Sequence, residues 1–242
     1  TGSGVAFSTS VTSVRSVAFV ANGDMLIADQ SKLKKIDING IMSLVTESQF
    51  SNLGEIAVTD EGDIIFADRD KHQIYIIVDG AVSTLAGSGT PGYNGDGILA
   101  RDAQLNNPNS VAIYDNEIYF TDTNNHRIRK IGIDGNITTV AGNGTQGYWG
   151  DEELAIDACL SSPTGLAIDR DGNIFIADTN NHIIRKVSSE GVISTYAGTP
   201  LSSGSSGDTN LAVNAKLSTP KGLSVSDEGE LFIADQGNRK IR

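Results

Sequence analysis

The chain has 242 residues, 38% hydrophobic and 20% charged, with 27 glycines and a formal net charge of −12. This is enough for one large domain or two small ones with a real core, and it excludes a disordered or low-complexity polymer. The negative charge disfavours a polyanion partner such as nucleic acid, and no apolar run approaches the ~18 residues of a membrane-spanning helix, so no membrane insertion is expected.

The lone Cys159 allows no intrachain disulfide. The sequence opens TGSG, without Met or a basic-then-apolar leader, and stops at NRKIR in mid-repeat. It therefore reads as a piece of a longer chain.

In chain order, the same pattern occurs five times: MLIADQSKLKKI (25–36), IIFADRDKHQIYII (64–77), IYFTDTNNHRIRKI (118–131), IFIADTNNHIIRKV (174–187) and LFIADQGNRKIR (231–242). Each is an apolar run ending in Asp, a polar loop, and basic residues alternating with apolar ones. The aspartates are Asp29, Asp68, Asp122, Asp178 and Asp235, spaced 39, 54, 56 and 57 residues apart. A short apolar strand and a tight Gly or Asn turn precede each run, and a second tight turn and a strand such as ITTVAG follow. Four antiparallel strands per unit, repeated at this period, predict an all-β propeller with blades near 12–46, 53–86, 108–142, 163–198 and 220–242, the last lacking its outer strand. GVAFSTSV (4–11) either supplies that strand, closing a five-bladed ring, or is the tail of an insert before the first blade in a six-bladed one; the second is preferred.

Three connections between blades are long and alike: DGILARDAQL (96–105), DEELAIDACL (151–160) and DTNLAVNAKL (208–217), each after a Gly-rich stretch. Their leading Asp suits an N-cap, and the Leu and Ala spacing predicts a short capped helix. The inserts and the loops after the aspartates leave the same face of the ring, where binding usually resides.

IADTNNHIIRKV and FTDTNNHRIRKI, with DGNITTVAGNGTQGYWGD and LSSPTGLAIDRDGN, resemble the NHL-repeat family of β-propellers. The resemblance covers essentially the whole chain and is strongest over 81–242. The third position of the tripeptide departs from Leu, reading Asn125-His126-Arg127 and Asn181-His182-Ile183. The resemblance implies a toroid of usually six blades used for macromolecular recognition, with one enzymatic branch of lyases.

His72, His126 and His182 hold one register on three separate blades, so they do not converge on a metal and are expected to pack and hydrogen-bond in their loops. The repeated aspartates are expected to accept backbone N–H bonds in the following loop, and the basic residues to lay their stems over a sheet face. Asn94, Asp96, Asp102, Asp151, Glu152, Glu153 and Asp157 offer oxygen to calcium, but their spacing matches no calcium loop; no metal or cofactor is assigned. Tyr93, Asn94, Tyr148, Trp149, Asp151 and Glu152 are the candidate contact residues. Trp149 stands where the parallel insert has Asn94, outside the demands of the repeat. Asn136 and Asn143 head N-x-[ST] sequons and are glycosylation candidates. No nucleophile or P-loop motif is visible. The expectation is a noncatalytic recognition module of an extracellular or cell-surface protein, with a protein or glycan ligand on the insert-bearing face or self-association. The alternatives are a filament or coat subunit, and a lyase or hydrolase with a metal in the central channel.

Overall fold

The computed structural model describes residues 4–5 and 11–242. Five antiparallel sheets follow one another along the chain as the blades of a propeller. Blade 1 is Val14–Phe19, Met25–Asp29, Lys32–Ile36 and Ile41–Leu44; blade 2 is Leu53–Val58, Ile64–Asp68, Gln73–Val78 and Ala81–Ala86. Blade 3 is Pro108–Tyr114, Glu117–Asp122, Arg127–Ile131 and Asn136–Ala141; blade 4 is Pro163–Ile168, Ile174–Asp178, Ile183–Val187 and Val192–Ala197. Blade 5 has three strands, Pro220–Val225, Leu231–Asp235 and Lys240–Ile241.

In blades 1 to 4 the second strand reads as an unbroken apolar run because both its faces are covered. In blade 2, Ile65 and Ala67 join the core shared with blade 3, which includes Val111 and Phe120. Phe66, between them, points the other way, into the core shared with Leu26 and Leu33 of blade 1. Successive side chains of a strand point to opposite faces, so one five-residue segment supplies two interfaces. Tyr119 and Ile128 meet Leu166 and Ile176 between blades 3 and 4, and Phe175 and Ile184 meet Leu217 and Ile233 between blades 4 and 5.

The inserts depart from expectation. Instead of a capped helix, each of the first two forms a two-residue strand, Ile98–Leu99 or Glu153–Leu154, hydrogen-bonded to the outer strand of the next blade. A single 3-10 turn follows, Ala100–Asp102 or Ala155–Asp157, with no side-chain cap. The third insert makes only the turn, Ala212–Asn214, again uncapped. Ala100 then staples two blades: its N–H donates to Gly135 O of blade 3 at 2.9 Å, and its carbonyl accepts from Gly87 N at the end of blade 2, also at 2.9 Å. Ala155 repeats this with Gly191 and Gly142. Blades 3 and 4 are thus five-stranded. On blade 1, Gly4–Val5 pairs with Met42 and Ile41, the place the inserts hold on blades 3 and 4. The rest of the proposed closing strand, residues 6–10, lies outside the described residues.

Candidate functional site

The loops after the repeated aspartates are built from local rules. Thr123–Asn125 and Thr179–Asn181 form one 3-10 turn each, ended by His126 (φ 54°) and His182 (φ 60°) in the left-handed region. His72 shares that conformation. The imidazoles are clasps between blades: Nδ1 of His72, His126 and His182 accepts the backbone N–H of Asn107, Ser162 and Thr219 at 3.0, 3.0 and 3.1 Å. Each donor sits just ahead of the next blade's inner strand. An accepting Nδ1 requires the neutral ring, and burial, with Arg127 beside it, pushes the His126 pKa down.

The aspartates do more than hold their own loop. Asp122 Oδ1 accepts from Asn106 N at 2.7 Å, fixing the segment that enters the same blade, while Oδ2 accepts from Asn125 Nδ2 at 2.8 Å. Asn125 Nδ2 also donates to Gly92 O of the insert. Asp178, Asn181 and Gly147 repeat the arrangement, as do Asp235, Asn238 and Gly204. Burial pushes the Asp122 carboxyl up to about 6 and that of Asp178 up to about 7, against the pull of the Asn amides, backbone donors and Arg neighbours. In blade 1 burial also works against the charge, yet Lys34 and the donors on Ser13 and Thr12 hold Asp29 well below the usual carboxylate range.

The basic residues divide. Lys130 and Lys186 lie over Tyr119 and Phe175, as stems covering a sheet face should. Arg129 and Arg185 do not: they have no exposed surface. Arg129 reaches Asp122 at 3.4 Å and Asp96 at 2.8 Å, and Arg185 reaches Asp178 at 3.9 Å and Asp151 at 2.7 Å. Arg242 joins Asp235 and Asp208 in the same way. The leading aspartates of the inserts are therefore counter-ions to the next blade's third strand, where the sequence pattern had suggested helix caps.

This network occupies part of the candidate contact set. Tyr148 donates to Asp151 at 2.8 Å with its ring 5.2 Å from the Arg185 guanidinium. Tyr93 lies 3.8 Å from that of Arg127 and keeps 38% of its surface exposed. Asn94 is tied to the backbone of Gln104 and Asp102. Trp149 is paired through its backbone, its carbonyl accepting from Cys159 N, and its side chain is 57% exposed. Glu152, anchored by its N–H to Ile193 O, presents an exposed carboxylate. Leu154 and Ile156 of the same insert are 52% and 50% exposed. Of the sequons, Asn136 Nδ2 donates to Asp134 and Asn143 Nδ2 to the Asp157 carbonyl. Among the described residues no three His, Cys, Asp or Glu side chains are grouped to hold a metal.

Sequence reasoning missed the channel mouth. Each inner strand carries a register irregularity near its start, between Val14 and Ser16, Leu53 and Ile56, Pro108 and Val111, Pro163 and Gly165, and Pro220 and Leu223. Bulges re-aim side chains, and here they set Arg15, Glu55, Asn109 and Lys221 around one cavity. A belt of hydrogen bonds joins the strands: Ile56 N to Ser16 Oγ, Leu166 N to Ser110 Oγ, Ser110 Oγ to Glu55 Oε2, and Asn109 Nδ2 to Thr164 O. The signal was the variation at two adjacent strand positions, Arg15, Asn109 and Lys221 at one and Glu55 at the next, against an otherwise regular repeat.

Comparison with known proteins fits this geometry. Residues 133–203 match the family model of the teneurin NHL domain. The chain is an NHL-repeat β-propeller. It is 32% identical over 223 residues to human teneurin-4, covering 81% of this chain and 8% of that protein. It is 30% identical over 246 residues to bovine NHL repeat-containing protein 2, covering 88% of this chain and 32% of the relative. The NHL chain thus spans under a tenth of the teneurin and about a third of the other. Among solved structures, an auxiliary nutrient binding protein from Bacteroides thetaiotaomicron superposes with TM-score 0.74 at 16% identity, over 96% of this chain and 59% of that one. Virginiamycin B lyase from Staphylococcus aureus superposes at 0.60 and 17%, over 94% and 65%. Identities this low speak to the shared fold alone.

Proposed function

We propose that this NHL propeller is a noncatalytic recognition module of a larger extracellular or cell-surface protein, binding a protein or glycan through the insert between blades 3 and 4. The observation that carries the reading is Trp149: a large ring, more than half exposed, on a segment stapled to the next blade by Ala155 and by the Asp151–Arg185 pair. Exposed aromatic residues on pre-ordered backbone make good anchors, because little conformational freedom is lost on binding. Glu152 and Glu153 beside it give the patch a negative rim, which favours a partner surface with basic groups. Similarity to the teneurin NHL domain supports the cell-surface setting and the interaction role, and Asn143, on an exposed loop, is the better placed of the two sequons for a glycan.

The test is binding of the tetramerised domain to cells of its source. Trp149→Ala with Glu152→Ala should abolish most of the signal, while Glu61→Ala, in the opposite-face turn of blade 2, should not. Protease or glycosidase treatment of the cells then assigns the partner to protein or glycan. Equal loss with the Glu61 variant would contradict the reading.

A further inference from the structure

Two inner strands and the loop after Asp68 bring three cations together at the channel mouth of an otherwise acidic protein. Arg15 and Lys221 line the same cavity, of about 380 Å³, together with Asn109, Gln236, Gly222 and Glu55. Arg69 stands in the loop after Asp68, its Nη2 donating to Asn107 Oδ1 and its buried Nε without a partner. Burial and the charges of Arg69 and Arg15 both push the Lys221 pKa down; burial and Arg15 do the same to Arg69, with Asp70 opposing. Like charges held this close and partly out of water are an unfavourable arrangement that an anion relieves.

The cations are not spent on the protein's own carboxylates. Among the described residues Arg15, Arg69 and Lys221 form no ion pair, although the chain carries 30 Asp and Glu. Glu55, the one acid lining the cavity among the described residues, accepts from Ser110 Oγ, and burial pushes its pKa up to about 7. Asn109 Nδ2 is used by Thr164 O, and Arg15, Lys221, Gln236 and Ser13 are further polar residues of the lining. The volume is within the range of small-ligand sites.

The geometry points to an oxyanion-binding site at the channel mouth, in which Arg15 and Lys221 hold the carboxylate or phosphate group of a small ligand and Arg69 supplies long-range attraction. It is independent of the insert surface: the cavity is lined by inner strands and carries its own charge.

Isothermal titration of the whole domain at constant ionic strength, with inorganic phosphate in one arm and succinate in the other, tests it. Saturable one-to-one binding in either arm is expected, the tighter arm telling a phosphoryl ligand from a carboxylate. Lys221→Gln and Arg15→Gln should each weaken it about tenfold, the loss of one charge-assisted contact, and Trp149→Ala should leave it unchanged. Both cationic side chains are exposed, so the variants keep the fold, verifiable by circular dichroism. No saturable binding in either arm, or binding indifferent to both charge removals, overturns the site.

Discussion

Arg185 Nη2 stands 2.7 Å from Asp151 Oδ1, so a cation with no exposed surface on blade 4 is neutralised by a carboxylate from the insert that reaches it. Removing one partner of a buried pair leaves the other charge uncompensated, at a cost of roughly 3–5 kcal/mol. Arg185→Ala should lose about that much in urea unfolding. Arg185→Lys should recover little, since an ammonium lacks the fork that spans Asp151 and Asp178.

The histidine clasp makes a different demand. His126 must accept a hydrogen bond from Ser162 N while holding φ near 54°. Asn tolerates that conformation and offers an acceptor; Val does neither. His126→Val should cost about 2–3 kcal/mol, combining strain with an unsatisfied donor, and His126→Asn about half as much or less, both measured by chemical denaturation.

Gly142 and Gly135 both have positive φ, 89° and 78°. A Cβ on Gly142 would run into the His126 carbonyl, whereas one on Gly135 meets open space. Gly135→Ala should cost about 1 kcal/mol, the conformational penalty alone. Gly142→Ala should cost clearly more, because the clasp has to move.

Much of this was legible in the sequence, for physical reasons that also mark where it stopped. The run IIFAD repeats because a strand buried on both faces has to be apolar throughout, and each Asp and His recurs because the loop it fixes recurs. Leu99 and Leu154 hid an extra strand, since two residues are too few to show alternation. Asp96 and Asp151 looked like helix caps because a cap is a local signal, while the arginines they pair with lie 33 and 34 residues further on. Arg129 and Lys130 look equivalent in IRKI, yet alternation sends one into the blade interface and the other onto Tyr119. The channel mouth rests on residues re-aimed by bulges, which no periodic pattern announces.

Glu55 gives a pH dependence of definite sign. Its pKa, raised from 4.5 to about 7 by burial, means the folded chain binds the proton more tightly than the unfolded one. Its contribution to stability is therefore fully present below about pH 4.5 and lost as pH rises through about 7. Gln can still accept from Ser110 but cannot ionise, so Glu55→Gln should match the wild type at pH 4.5 and exceed it at pH 8, by on the order of 1–3 kcal/mol. Urea midpoints at the two pH values check this.

The central claim is that recognition runs through the insert carrying Trp149. Hydroxyl-radical footprinting of the tetramerised domain, free and bound to cells of its source, reads it residue by residue. The account predicts strong protection of Trp149 on binding, with oxidation of Tyr114, at the first hairpin turn of blade 3 on the opposite face, unchanged. Equal oxidation of Trp149 in the two states, with protection at Tyr114, would contradict it.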